Sequence, residues 1–168
     1  MGINAIGGYF AKRRATRELE NQEALTRLRG QRDALNALGE RVSQVQIPSA
    51  EQASDDQTIS RFYEALGVPE DARIGTVKKL RELERLSEGN PSTVEMLRFQ
   101  RASAINTTKS EATVTQQAID YAQRTNDAKG AAYKLGRYLE AKRDFAERVS
   151  QAGGCATFSG PSPRNPFE

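Results

Sequence analysis

The sequence predicts an all-α fold: an elongated helical bundle with two long helices, shorter helices between them, and an extended Pro/Gly-rich C-terminal tail. Three observations lead there. The first is an apolar ladder within Ser110–Gln151. Val114, Ala118, Tyr121, Thr125, Ala128, Ala132, Leu135, Leu139, Lys142, Ala146 and Val149 follow one another in alternating steps of four and three. That spacing is the seam of a helix packed along its length on other helices. The second is composition: 37% hydrophobic, 28% charged and a mean hydropathy of −0.70 describe a thin core and much wetted surface. The third is punctuation. Pro48, Gly67 and the Gly89-Asn90-Pro91 run fall between periodic segments, not inside them.

Residues 1–8 are small and Gly-rich. Gly7 and Gly8 disfavour a stable helix, so this stretch is expected to be a flexible arm. Ile3, Ile6, Tyr9 and Phe10 would let such an arm dock on a membrane or a partner, with Lys12–Arg14 behind them. Gly2 lacks the Ser or Thr that a myristoylation signal carries at position 6, which is Ile6. The first long helix is expected over 9–46. Leu28, Leu35 and Val42 form one seven-residue series, and Leu38 and Val45 the other. Gln31 occupies a seam position, and upstream the seam weakens to Asn21 and Ala24. Pro48 ends the helix.

A polar loop follows, in which Asp55 or Asp56 caps a helix over 57–66. Ile59, Phe62, Tyr63 and Leu66 share its inner face, and Gly67 stops it. Pro69 looks like the first turn of a short helix, and Thr76 like the cap of another over 77–88 with the stripe Val77, Leu80, Leu83 and Leu86. Ser92-x-x-Glu95 is a capping box, so a helix begins near Thr93, with Val94, Leu97, Ala102 and Ile105 inward. Asn106–Thr108 weakens it. The spacing leaves open whether it ends there or continues with a kink into the second long helix, 110–151. The domain reading is thus an arm over 1–8, a helical domain over 9–152 and a tail over 153–168. The tail's prolines and glycines exclude helix. Its aromatic anchors, Phe158 and Phe167, suit an extended segment lying on a neighbouring subunit.

The same residues restrict the chemistry. There is no histidine, so His-based triads and His zinc sites are excluded. The one cysteine, Cys155, has no histidine to activate it and reads as an inert thiol. Neither phosphate-loop nor dinucleotide-binding glycine patterns occur. No enzyme activity, cofactor, metal or small-molecule substrate is expected. The net charge is +3 and the pI about 9.1, but residues 1–17 hold Lys12, Arg13, Arg14 and Arg17 with no acid. Cations early in a helix oppose its dipole, which points to an external anionic partner for these four residues. Base-stacking aromatics are not interleaved among them, so sequence-specific nucleic-acid reading is not expected.

The segment Ile3-Asn-Ala-Ile-Gly-Gly-Tyr-Phe-Ala-Lys-Arg-Arg14, the overall size and the helical composition resemble the small internal virion (ejection or core) proteins of short-tailed bacteriophages. The resemblance implies a protein stored in several copies inside the capsid, near the portal, and delivered into the cell envelope to help form a DNA channel. This chain departs from that pattern in lacking a long apolar N-terminal segment. The expected role is therefore a structural assembly protein of the virion, inside the capsid or at the portal vertex. It would associate with copies of itself and with other assembly proteins. The seam would be Leu28, Leu35, Leu38, Val42, Val45, Val114, Ala118, Tyr121, Ala128, Ala132, Leu135, Leu139 and Val149. The alternative is a cytoplasmic helical adaptor or regulator that binds nucleic acid or an anionic membrane surface through the basic segment.

Overall fold

The computed structural model describes the backbone of residues 2–153 and 159–168, and the side chains of 6–153 and 159–168. Among the described residues there are five α-helices and no strand. The helices are α1 (Gly2–Ser43), α2 (Asp56–Ala65), α3 (Glu70–Ser87), α4 (Thr93–Thr125) and α5 (Ala128–Gln151), with one 3-10 turn at Gln52–Ser54. They form two compact units. Unit 1 comprises Met1–Asp33 and Glu111–Glu168, and unit 2 comprises Ala34–Ser110.

The core of unit 1 joins Ala24 and Leu28 of α1 to Val114, Ala118, Ile119 and Ala122 of α4 and to Ala128, Ala131, Leu135 and Leu139 of α5. Ala24, Ala118 and Ala122 let the backbones of α1 and α4 approach closely, and Leu28, Ile119 and Leu135 fill the space between the helices. The single helix expected over 110–151 is instead two. Asn126 takes a left-handed conformation (φ 54°), and the Asp127 N–H reaches back to the Ala122 carbonyl at 3.3 Å, closing α4. Asp127 then caps α5 by accepting from the Gly130 N–H at 2.9 Å. A Cβ on Gly130 would fall on the Asp127 carboxylate, so a side chain there would oblige the capping carboxylate to turn aside. Asn21 of α1 holds the corner. Its Oδ1 accepts from the buried Ala128 N–H at 2.6 Å, and its Nδ2 donates to Asn126 Oδ1 at 3.1 Å. The apparent weakening of the α1 seam at Asn21 is thus the clamp for this turn.

Conversely, the weak point expected at Asn106–Thr108 is uninterrupted helix. Thr108 and Thr115 donate their hydroxyls to the carbonyls of Ala104 and Glu111, four residues back, at 2.8 and 2.7 Å. Their polar groups are satisfied without leaving the helix.

Unit 2 is built on Ile59, Phe62 and Tyr63 of α2, Val77 and Leu80 of α3, Leu97 of α4, and Ala53. Its local signals match the sequence closely. Asp55 caps α2, Gly67 ends it with φ 91°, and Ser92 and Glu95 exchange capping-box bonds at 3.3 and 3.4 Å. Val42 is fully buried, and Val45 packs on the unit 2 core. A Cβ on Gly39 would touch Thr108 Cγ2 at 3.4 Å, so this glycine lies where α1 and α4 run close together.

Three expectations fail in this unit. Thr76 is not a cap: α3 runs through it, and its hydroxyl bonds the Ala72 carbonyl at 2.8 Å. Leu83 and Leu86 are exposed, as is Ala102. For these the reason is geometric. Steps of three residues turn a helix by about 300°, so a stripe taken only in threes drifts by about 60° per step. Leu86 has turned half-way round α3 from Val77. Ala102, five residues beyond Leu97, is rotated about 140° away from it on α4.

Candidate interaction surface

The seam residues are used inside the chain. Leu28, Val114, Ala118, Ala128, Leu135 and Leu139 lie in the unit 1 core, with Tyr121 and Ala132 half-buried against it. Leu35, Leu38 and Val149 are half-buried, and a Cβ added to Gly67 would meet Leu38 Cδ1 at 3.6 Å. Within the chain, segments of α1, α4 and α5 pack on the unit 1 part of this seam. Gln31 is exposed, and the inward polar residue is its neighbour Arg32, which donates to Gln116 Oε1 at 2.8 Å.

The tail is also used locally. Residues 159–168 carry neither helix nor strand. Phe167 packs on the unit 1 core, its ring 5.6 Å from that of Tyr121, and Asn165 donates to Gln117 Oε1 at 2.6 Å. Phe167 thus has a packing place on its own chain. Phe158 and Cys155 lie outside the described residues.

The first part of α1 stays uncovered, as do the separate side chains Ile74, Leu86, Phe99 and Tyr133 elsewhere. The expected arm over 1–8 is helical from Gly2, and the helix continues without a break to the core-facing Asn21, Ala24 and Leu28. Along the intervening turns Ile6, Tyr9, Phe10 and Leu19 are 59, 61, 50 and 57% exposed. Tyr9 and Phe10 stack edge-on with ring centroids 5.8 Å apart. Lys12, Arg13, Arg14 and Arg17 are all exposed on the same stretch. Isolated exposed apolar side chains are ordinary, but Ile6, Tyr9 and Phe10 lie within five residues and form a patch.

Immediately beyond the cations, a groove of about 520 Å³ opens between α1 and α5. Glu20, Glu23, Arg27 and Gln31 of α1 and Lys129 of α5 line its polar edges, while Ala24, Leu28 and Ala132 form its floor. Lys129 bridges to Glu20 at 2.7 Å. In the sequence Glu20 and Glu23 read only as part of a solvated, ion-paired face of the first helix, and Lys129 carries no signal of its own. The available signal was charge order, because acids follow the basic run directly.

Elsewhere the polar groups tie elements together. Arg81 donates to Asp56 Oδ1 at 2.8 Å, to Glu84 Oε1 at 2.6 Å and to the Ala53 carbonyl at 2.9 Å. Burial works against its charge, but the two carboxylates outweigh it and raise the guanidinium pKa. Thr93 donates to the same Glu84 oxygen at 2.7 Å, which brings α4 into the network. Burial pushes the Tyr63 hydroxyl above its ordinary 10.0, while it donates to Gln100 Oε1 at 2.7 Å. The Thr58 hydroxyl, donating to Asp55 Oδ2 at 2.9 Å, holds that carboxyl below 3.8. Each shift belongs to a cap or a packing contact. Among the described residues no group of His, Cys, Asp or Glu has metal-binding arrangement, and no helix is long and apolar enough to cross a membrane.

Comparison with protein-family models, with curated proteins and with solved structures finds no match to this chain.

Proposed function

We propose that this chain is a non-enzymatic structural assembly protein, an internal virion component of the kind that its N-terminal segment resembles. It works by presenting the first part of α1 to other proteins of the assembly. The observation that supports the reading is the uncovered patch of Ile6, Tyr9 and Phe10 beside Lys12, Arg13, Arg14 and Arg17. A chain that buries its longest apolar seam within itself and leaves three large apolar side chains in water on one short helical stretch has kept that stretch for a partner. Two measurements test it: the mass of the full chain in solution across concentration, and mass spectrometry of purified particles from the virus that encodes it. Concentration-dependent association and presence in particles at several copies are expected. A chain that stays monomeric and is absent from particles refutes the reading.

A second reading rests on the cations alone. Four exposed basic residues without an acid among them suit a regulator that binds nucleic acid or an anionic surface. It expects salt-dependent DNA binding that falls when Lys12, Arg13 and Arg14 are neutralised. DNA binding unchanged by those substitutions removes it.

A further inference from the structure

We propose that the partner of this surface is a second copy of the chain. The first part of its α1 lies antiparallel in the groove between α1 and α5, and the reverse contact forms at the same time. This inference rests on the reading of the chain as an assembly protein and names the contact.

The argument starts from helix geometry. At about 100° per residue, Ile6, Tyr9, Arg13, Thr16, Glu20, Ala24 and Arg27 fall on one side of α1. The uncovered patch and the groove are therefore successive parts of a single helix face. Laid against itself in the opposite direction, with the two-fold axis near Thr16 and Arg17, this face pairs with its own complement. Arg13 of one copy meets Glu20 of the other, beside the Lys129 that already bridges to it. Tyr9 reaches the groove at Ala24, and Ile6 reaches the exposed stem of Arg27 at its edge. Bulky side chains from the patch thus meet the small floor of the groove, which already holds Ala24 and Ala132. Every contact occurs twice, as a two-fold interface requires, and the association closes as a dimer.

Charge selects both the direction and the partner. In a parallel pair Arg13 would face Arg13 and Glu20 would face Glu20, which is repulsive. The antiparallel pair opposes cations to acids at both ends, and near the axis the two Arg17 side chains bring like charges together. Glu20 and Glu23 also disfavour an anionic lipid surface for this face, because headgroups that attract Arg13 would repel the two carboxylates further along the helix. The acids that discourage lipid are those that a second basic segment would match.

The test uses the full chain in sedimentation equilibrium at low salt. A monomer–dimer equilibrium is expected. Arg13→Glu and Glu20→Arg should each weaken it about tenfold or more, because each sets like charges face to face twice. The two together should restore it to near the parent value, since the reversed pair again has opposite signs. Tyr9→Glu should abolish the dimer with helix content unchanged, because its side chain is exposed in the monomer. Orientation is read separately in a Cys155→Ser background. Thr16→Cys, near the axis, should form a disulfide between copies readily, whereas Ile6→Cys should not. A monomer up to roughly 100 µM overturns the proposal, since no weaker contact would serve. So does ready cross-linking of Ile6→Cys, which requires a parallel pair. Monomeric binding to phosphatidylserine vesicles, lost on Tyr9→Glu, overturns it in favour of a membrane. Association that ignores both charge reversals refutes this contact and leaves the assembly reading standing; absence of association and absence from particles refute both.

Discussion

Replacing Asp127 with Ala separates two descriptions of residues 110–151 by the sign of its effect. If the stretch were one helix, Asp127 would sit mid-helix, and alanine would stabilise it by about 0.5 kcal/mol through propensity. In the structure Asp127 is the N-cap of α5 and accepts from the Gly130 N–H at 2.9 Å. Its loss should cost about 1 kcal/mol. Gly130 sharpens the test. Glycine to alanine inside a helix ordinarily gains about 1 kcal/mol, and Gly136, where an added Cβ would meet nothing within 4 Å, should show that gain. At Gly130 a Cβ would displace the Asp127 carboxylate, so loss of the cap should cancel the gain. In the Asp127→Ala background the cap is already absent, and Gly130→Ala should recover the full gain. The two substitutions are therefore coupled by about 1 kcal/mol, as neighbours sharing one contact are. Urea unfolding followed by far-UV circular dichroism measures all four forms. A stabilising Asp127→Ala, or a Gly130→Ala as stabilising as Gly136→Ala, refutes the turn.

Three further outcomes follow from particular contacts. Asn21→Ala leaves the buried Ala128 N–H without an acceptor and should cost about 1–3 kcal/mol in the same assay. Leu135→Ala, in the unit 1 core, should cost about 2–5 kcal/mol, whereas Leu86→Ala, on an exposed face of α3, should stay within about 0.5 kcal/mol. For Tyr63 the sign is set by its raised pKa: the folded state favours the neutral hydroxyl, so that contribution is complete below 10.0 and is lost as pH rises through the higher folded value. Tyr63→Phe should therefore be less stable by about 1 kcal/mol at neutral pH, from the lost bond to Gln100, and the gap should narrow in alkaline urea melts. A gap that is constant across that range would exclude a buried hydroxyl.

The local signals were legible in the sequence because short-range chemistry decides them. Asp55, Gly67 and the Ser92–Glu95 box each act within a few residues, and each does in the structure what its residue type dictates. The helical character of the chain follows from the same kind of information. The Asn126–Asp127 turn was also written locally, in an αL-tolerant residue followed by a cap and Gly130. It was masked because both α4 and α5 face the same core, so their apolar positions stay in step across the break and mimic one ladder. Which surface covers that ladder is a different kind of question. Periodicity tells a helix which side to bury, not against what. Only the tertiary structure decided that α1, α4 and α5 of one chain bury it together, that Asn21 holds the turn and that Phe167 returns to Tyr121. Those choices depend on contacts between residues more than 100 positions apart, such as the 107 between Asn21 and Ala128, and no local spacing carries them. By the same physics, the face of α1 left over after that packing, with its patch, its cations and its groove, became visible only once the seam had been accounted for.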